Sequence, residues 1–134
     1  MVNNYLLDTN TISYAIKGKA PTVLSQMARV PMNQVFISSV TEGELRYGVA
    51  RRPDATKLKK IVEEFLLSVR VLPWDSDVAK VYGDFRADLE RLGQPMGALD
   101  MMIGAHALAV GATLVSNDRS FTRINGLRVE DWTV

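Results

Sequence analysis

Four carboxylates, Asp8, Glu44, Asp100 and Asp118, stand where an alternating strand–helix chain would gather ligands. Asp8 directly follows the apolar run Tyr5-Leu6-Leu7, and Asp118 lies just past Thr113-Leu114-Val115. Glu44 falls in the first turns of the segment after Val35-Phe36-Ile37, and Asp100 opens a strongly apolar stretch. Held together without a cation, such acids repel and some stay protonated. A hard divalent ion, Mg2+ or Mn2+, matches an oxygen-only ligand set. Such an ion activates water and stabilises charge on a phosphate under in-line attack. Local readings stand beside this one. Asp8 suits a helix N-cap, and a helix N-terminus would stabilise Asp100 by roughly 0.3–1 kcal/mol at an exposed position. The neighbours Leu99, Met101, Met102 and Ile103 predict burial of Asp100, which an unpaired carboxylate resists. Glu42 and Glu44 point about 200° apart on a helix, so only one can face a shared site. Ser39 and Glu42 match a capping box, which leaves Glu44 as the better ligand.

The elements that must position these acids follow from periodicity. Tyr5–Leu7, Val35–Ile37, Val71–Leu72, Thr113–Val115 and Leu127–Val129 read as short strands. Asp8-Thr9-Asn10-Thr11 favours a turn or helix start, and no element is assigned between there and Val35. A helix is expected from Ser39 to Val49. Another follows Pro53 and Asp54, with Leu58, Ile61, Val62, Phe65, Leu66 and Val69 on one face. Asp75 is expected to cap a helix striped by Val78, Val81, Tyr82, Phe85, Leu89 and Leu92 and stopped at Gly93. Leu99–Val110 is apolar nearly all round, as in a buried helix ended by Gly111. Strands alternating with helices imply a parallel sheet covered on both sides. Right-handed crossovers then give a three-layer α/β/α sandwich with a central, mostly parallel sheet.

Composition narrows the chemistry. The 134 residues fit a single domain over 1–134, with 47% hydrophobic and 23% charged residues. Sixteen basic residues against fifteen acidic leave a net charge of +1, no general attraction for polyanions. The absence of cysteine excludes disulfides and thiolate chemistry, and the lone His106 excludes multi-histidine metal sites. No apolar run reaches membrane-spanning length, and Met-Val-Asn-Asn-Tyr does not read as a secretory signal. A cytoplasmic location, with no membrane association, is the expectation.

The same residues carry a family resemblance. Leu6-Leu7-Asp8-Thr9-Asn10 resembles the opening motif of PIN-domain nucleases, specifically the VapC-type toxins of bacterial toxin–antitoxin pairs. Glu44-Leu45-Arg46-Tyr47-Gly48 is similar to their second acidic motif. Pro95-Met96-Gly97-Ala98-Leu99-Asp100, with Ile103-Gly104-Ala105-His106-Ala107, resembles the third. Gly111-Ala112-Thr113-Leu114-Val115-Ser116-Asn117-Asp118 resembles the fourth, and the ending Gly126–Trp132 is also similar. The resemblance implies a PIN-like fold and a metal-dependent endoribonuclease. Asp8, Glu44, Asp100 and Asp118 would then be the acidic quartet holding one or two Mg2+ or Mn2+ ions, with Asp8 and Asp100 central. It also implies cleavage of structured RNA, particularly tRNA, leaving 5′-phosphate and 3′-hydroxyl ends and arresting growth. The implied partner is a VapB-type antitoxin covering the active groove. Toxin homodimers and higher toxin–antitoxin oligomers would follow, touching operator DNA only through that complex. Ala98-Leu99 replaces the Pro-Tyr of many relatives, and Asn117 competes with Asp118 for the fourth position.

Thr9, Asn10, Ser38 and Ser116 could hydrogen-bond the acids or a substrate phosphate, or merely cap helices. Arg86 could reach an acid of the site. Arg46, Arg51, Arg52, Lys57, Lys59 and Lys60 form the densest basic patch, either an RNA footprint or a solvated face. His106 is read as structural, and Trp74 and Trp132 as packing residues. Two other function classes remain at this level. A phosphohydrolase could use Asp8 as nucleophile, although Asn10 stands where a second Asp is wanted and no Lys follows Lys80. A non-catalytic regulatory module could hold metal in an acidic pocket and act through protein contacts.

Overall fold

The computed structural model describes residues 3–94 and 96–134. Pro95, in the third acidic motif, lies outside the described residues, as do Met1 and Val2 of the N-terminal reading. Five strands form one sheet: β1 (Tyr5–Leu7), β2 (Val35–Ser38), β3 (Arg70–Leu72), β4 (Thr113–Val115) and β5 (Val129–Glu130). Six helices accompany them: α1 (Thr9–Ile16), α2 (Pro21–Arg29), α3 (Ser39–Ala50), α4 (Thr56–Ser68), α5 (Ser76–Arg91) and α6 (Ala98–Val110). The strand order is β3-β2-β1-β4-β5, and every adjacent pair is parallel.

Side chains alternate across the pleat and divide the core in two. Leu7, Val35, Ile37 and Val115 pack with Ile12, Val23, Leu45 and Val62 from α1 to α4. Leu6, Phe36 and Leu114 face the other way, onto Ile103 and Ala107 of α6 and onto Phe121. Helix α5 lies behind α6, through Phe85 and Leu89 against Met101 and Ala105. The result is the expected three-layer sandwich, its sheet wholly parallel.

Local signals explain most boundaries. Asp75 caps α5, its Oδ1 accepting from the Val78 N–H at 3.1 Å. Gly111 ends α6 with φ of 69°, a left-handed conformation suited to glycine. Other expectations need correction. The cap of α3 is Ser38, whose Oγ accepts from the Val40 N–H at 3.1 Å. Ser39 instead accepts from the Trp74 N–H, and Glu42 pairs with Arg46 one turn on. The capping box therefore does not form: its frame begins one residue late, and a cation competes for its glutamate. Helix α4 starts at Thr56, after turns at Pro53 and Asp54, and the last strand is displaced to Val129–Glu130. Helix α2 falls where no element was expected. Its signals are Pro21 in the first turn and Val23 and Met27 one turn apart.

Candidate active site

Strand order places the site. From β1 the chain winds outward through β2 and β3, then returns to β4 on the other side of β1 and proceeds to β5. In open parallel sheets, ligands bind beyond the carboxyl ends of strands where the winding reverses, here between β1 and β4. Asp8 follows β1 directly and Asp118 lies three residues past β4. The Asp8 N–H donates to the Val115 carbonyl at 3.0 Å, tying those two strand ends together. Glu44 is the sixth residue of α3, which leaves the end of β2, and Asp100 is the third residue of α6.

Each acid is held differently. Asp8 is buried and caps α1, its Oδ1 accepting from the Thr11 N–H at 2.9 Å. Thr9 Oγ1 donates to Glu44 Oε1 at 2.6 Å and lies 3.3 Å from Thr41 Oγ1, a fully buried hydroxyl. Asp118 Oδ1 accepts from the Ser120 N–H at 2.9 Å, while the Asp118 N–H donates to Ser116 Oγ at 3.0 Å. Asp100 is half-buried rather than buried, because Leu99 beside it turns outward while Met101 turns in. Nor does it cap α6. Gly97 occupies the cap position, and a Cβ there would stand 3.4 Å from Asp100 Oδ2.

Electrostatics links Asp100 to the other three acids. The Asp100 carboxyl is raised above the usual range, chiefly by burial and then by the charges of Asp118, Asp8 and Glu44, in that order. Segments 92 residues apart in sequence at their extremes (Asp8 to Asp100) thus act on one carboxyl. Among the described residues, no group of three or more acidic or histidine side chains stands close enough to hold a metal ion by protein ligands alone. Mg2+ keeps several waters and takes only one or two carboxylates, leaving the remainder of its shell to substrate phosphates. An open group of hard oxygen donors with unbalanced negative charge fits that requirement. Asp8, Glu44, Asp100 and Asp118 are the residues that could hold it.

The surroundings refine the other expectations. Arg86 does not reach the site: it bonds Glu90 and Tyr82 on its own helix, one turn away on either side. His106 is fully buried, its Nδ1 2.8 Å from Ser38 Oγ, and burial lowers its pKa against a weaker opposing effect of Asp75. Trp74 packs edge-on to Tyr82 and donates its indole N–H to the Met102 carbonyl at 3.0 Å. Trp132 is buried against Tyr5. The basic patch divides. Arg46 is engaged by Glu42, whereas Arg51 and Arg52 join Lys17 around a cleft of about 140 Å³ that Thr9 and Glu44 also line. Sequence reasoning missed Lys17, which has no local pattern, and Thr41, which only its spacing of three residues before Glu44 could have marked.

Nearly the whole chain has known counterparts. The PIN domain family matches residues 5–127. The tRNA(fMet)-specific endonuclease VapC of Shigella flexneri is 37% identical over 130 residues, covering 96% of this chain and 98% of that protein. Among solved structures, DNA-bound VapBC from Salmonella typhimurium has a TM-score of 0.90 at 36% identity, covering 98% of this chain and 99% of its counterpart. VapBC2 from Rickettsia felis, bound to a DNA fragment from their promoter, has a TM-score of 0.89 at 32% identity, covering 96% and 98%.

Proposed function

The chain belongs to the PIN-domain family, and from that premise we propose that it is a metal-dependent endoribonuclease toxin of the VapC type. The observation that carries the proposal is the placement of Asp8 and Asp118 just past the adjacent strands β1 and β4, with Glu44 and Asp100 on α3 and α6. The Asp100 pKa, raised first by burial and then by Asp118, Asp8 and Glu44, supports it. A bound Mg2+ or Mn2+ would supply water activation and charge neutralisation at a phosphodiester. The remaining work belongs to the chain. Asp8 and Asp100 are the central ligands, the first pre-set by its cap to α1 and the second left with an unbalanced charge. Glu44 is oriented by the Thr9 hydroxyl, and Asp118 by the Ser120 N–H. Lys17, Arg51 and Arg52 border the adjacent cleft and suit the backbone of a polyanion.

The substrate class is structured RNA, with initiator tRNA the first candidate because relatives at 37% and 38% identity are named for it. Cleavage would arrest growth in the cytoplasm unless a VapB-type antitoxin covered the groove. Toxin dimers and larger toxin–antitoxin oligomers would meet operator DNA only through that partner, as the DNA-bound VapBC relatives suggest.

The test is incubation of purified protein with initiator tRNA and with total RNA in Mn2+, beside Asp8→Ala and Asp100→Ala. Cleavage by the parent alone, abolished by chelation, is expected. Equal cleavage by all three would identify a contaminant. No cleavage by any would favour a metal-binding interaction module.

A further inference from the structure

Among the described residues, Ser38–His106 is a fully buried polar pair that the mechanism does not use. Both side chains are fully buried, and Ser38 Oγ lies 2.8 Å from His106 Nδ1, across 68 residues of sequence. Its two ends belong to the segments that carry two of the acids. Ser38 is the last residue of β2 and the cap of α3, which bears Glu44; His106 lies on α6, six residues past Asp100. A second tie runs parallel to the first. The Trp74 N–H donates to Ser39 Oγ at 3.0 Å, and its indole N–H donates to the Met102 carbonyl at 3.0 Å. Ser38, the cap of α3, and Ser39, its first residue, are therefore both anchored to α6, one directly and one through Trp74.

Two features mark the direct tie as more than packing. His106 Nε2 has no hydrogen-bond partner among the described residues. A buried imidazole nitrogen without a partner is costly, so an apolar residue of similar size would suit packing better. Ser38 Oγ also accepts from the Val40 N–H at 3.1 Å. Cap and bridge thus share one oxygen, and the bridge fixes where α3 starts.

We propose that His106 is a positioning residue that, through Ser38, sets the separation of Glu44 from Asp100. The inference rests on the reading of these acids as a metal site, and its effect is transmitted through Glu44. Removing the bridge lets the start of α3 move relative to α6, so Glu44 loses its place while Asp8 and Asp118, on other segments, keep theirs.

The test measures Mn2+ binding by calorimetry in the absence of RNA, for His106→Leu and His106→Asn, each alone and combined with Glu44→Gln. Loss of a group that orients a ligand weakens metal binding by about 10–100-fold. His106→Leu is expected to lose at least tenfold when Glu44 is present and less than about twofold when it is Gln. His106→Asn, whose amide reaches the position of Nδ1, is expected to recover most of the loss. Should His106→Leu not fold, His106→Gln replaces it, since its amide mimics Nε2 and cannot reach Ser38 as Nδ1 does. Equal weakening in both Glu44 backgrounds, or none in either, would overturn the proposal. Hydrogen exchange of the Val40 amide without metal separates this inference from the functional one. If the parent binds no Mn2+, the metal-site reading fails on its own. Faster exchange in His106→Leu still supports the strut, and unchanged exchange overturns it.

Discussion

Glycine 104 offers a test of how tightly α6 must approach the segment that carries Asp118. A Cβ built at Gly104 would lie 3.1 Å from Phe121 Cε1 and 3.1 Å from Phe85 Cζ. Both rings are buried, at 1% and 5% exposure, so neither can swing into solvent. In Gly104→Ala the methyl gains about 1 kcal/mol of helix propensity. Displacing two packed rings by a few tenths of an ångström costs about 1–3 kcal/mol. The net expectation is a loss of about 0–2 kcal/mol. Gly83, exposed in α5 with no atom within 4 Å of a built Cβ, provides the control. Gly83→Ala should gain up to about 1 kcal/mol. At roughly 4 °C per kcal/mol for a chain of this size, the two variants should differ in Tm by about 4–12 °C. A functional effect should accompany the loss. Phe121 follows Asp118 by three residues and Gly104 follows Asp100 by four, so wedging them apart should weaken Mn2+ binding in Gly104→Ala and leave it intact in Gly83→Ala. Thermal melts and metal titration check both. If Gly104→Ala stabilises the protein as much as Gly83→Ala does, the close approach is not a constraint and the reasoning fails.

Three more outcomes follow from the site. Asp100 holds its proton more tightly folded than unfolded, so metal-free stability is lost as pH rises from the unfolded carboxyl pKa through the raised folded one. Asp100→Asn should therefore melt above the parent near pH 7 and converge with it near about pH 3; saturating Mn2+ at about 100 Kd should raise the parent by about 2.7 kcal/mol and the variant hardly at all. Thr9→Val removes the hydroxyl that donates to Glu44, and Mn2+ affinity should fall about tenfold by calorimetry. Arg51→Ala and Arg52→Ala should each reduce the slope of log affinity for RNA against log salt by about 0.7–0.9, whereas Arg46→Ala, already paired with Glu42, should change it less.

The sequence carries the sheet and the acids for the same reason. Short β-branched or apolar runs broken abruptly by Asp, Ser or Asn mark where a buried strand must end, and strand ends are where such a fold places its ligands. Hence the sequence marks Asp8, Glu44, Asp100 and Asp118 as the candidates, and the structure places Asp8 and Asp118 just past strand ends and Glu44 and Asp100 on α3 and α6. Helix α2 was not, because Ala20 supplies no capping side chain and exposed Leu24 blurs its stripe. The Ser39–Glu42 capping box was a sound local pattern overruled by other partners, the distant Trp74 for one end and Arg46, one turn on in the same helix, for the other. Arg86 illustrates the same limit. A long side chain chooses among partners within reach, and Glu90 and Tyr82 on its own helix were nearer than any acid of the site. The Ser38–His106 contact joins residues with no shared pattern at all.

Capping and metal binding are alternative explanations of these acids, and the hydrogen bonds leave room for both. Asp8 commits Oδ1 to the Thr11 N–H, Asp118 commits Oδ1 to the Ser120 N–H, and Glu44 commits Oε1 to Thr9. In each case one oxygen is anchored, by a neighbouring backbone N–H for Asp8 and Asp118 and by the distant Thr9 hydroxyl for Glu44, which fixes the plane of the carboxylate and so the direction of the other oxygen. Such anchoring lowers the entropy lost when a ligand is engaged, the general benefit of preorganisation. Asp100 differs: it caps nothing, and the like charges of the other three bear on it. A set of acids serving only as caps would gain nothing from crowding a fourth carboxylate among them, since the added repulsion only destabilises the fold. The arrangement would become favourable if a divalent cation shared the charge, so on the proposed function Asp100→Asn should raise stability and remove metal binding in the same molecule.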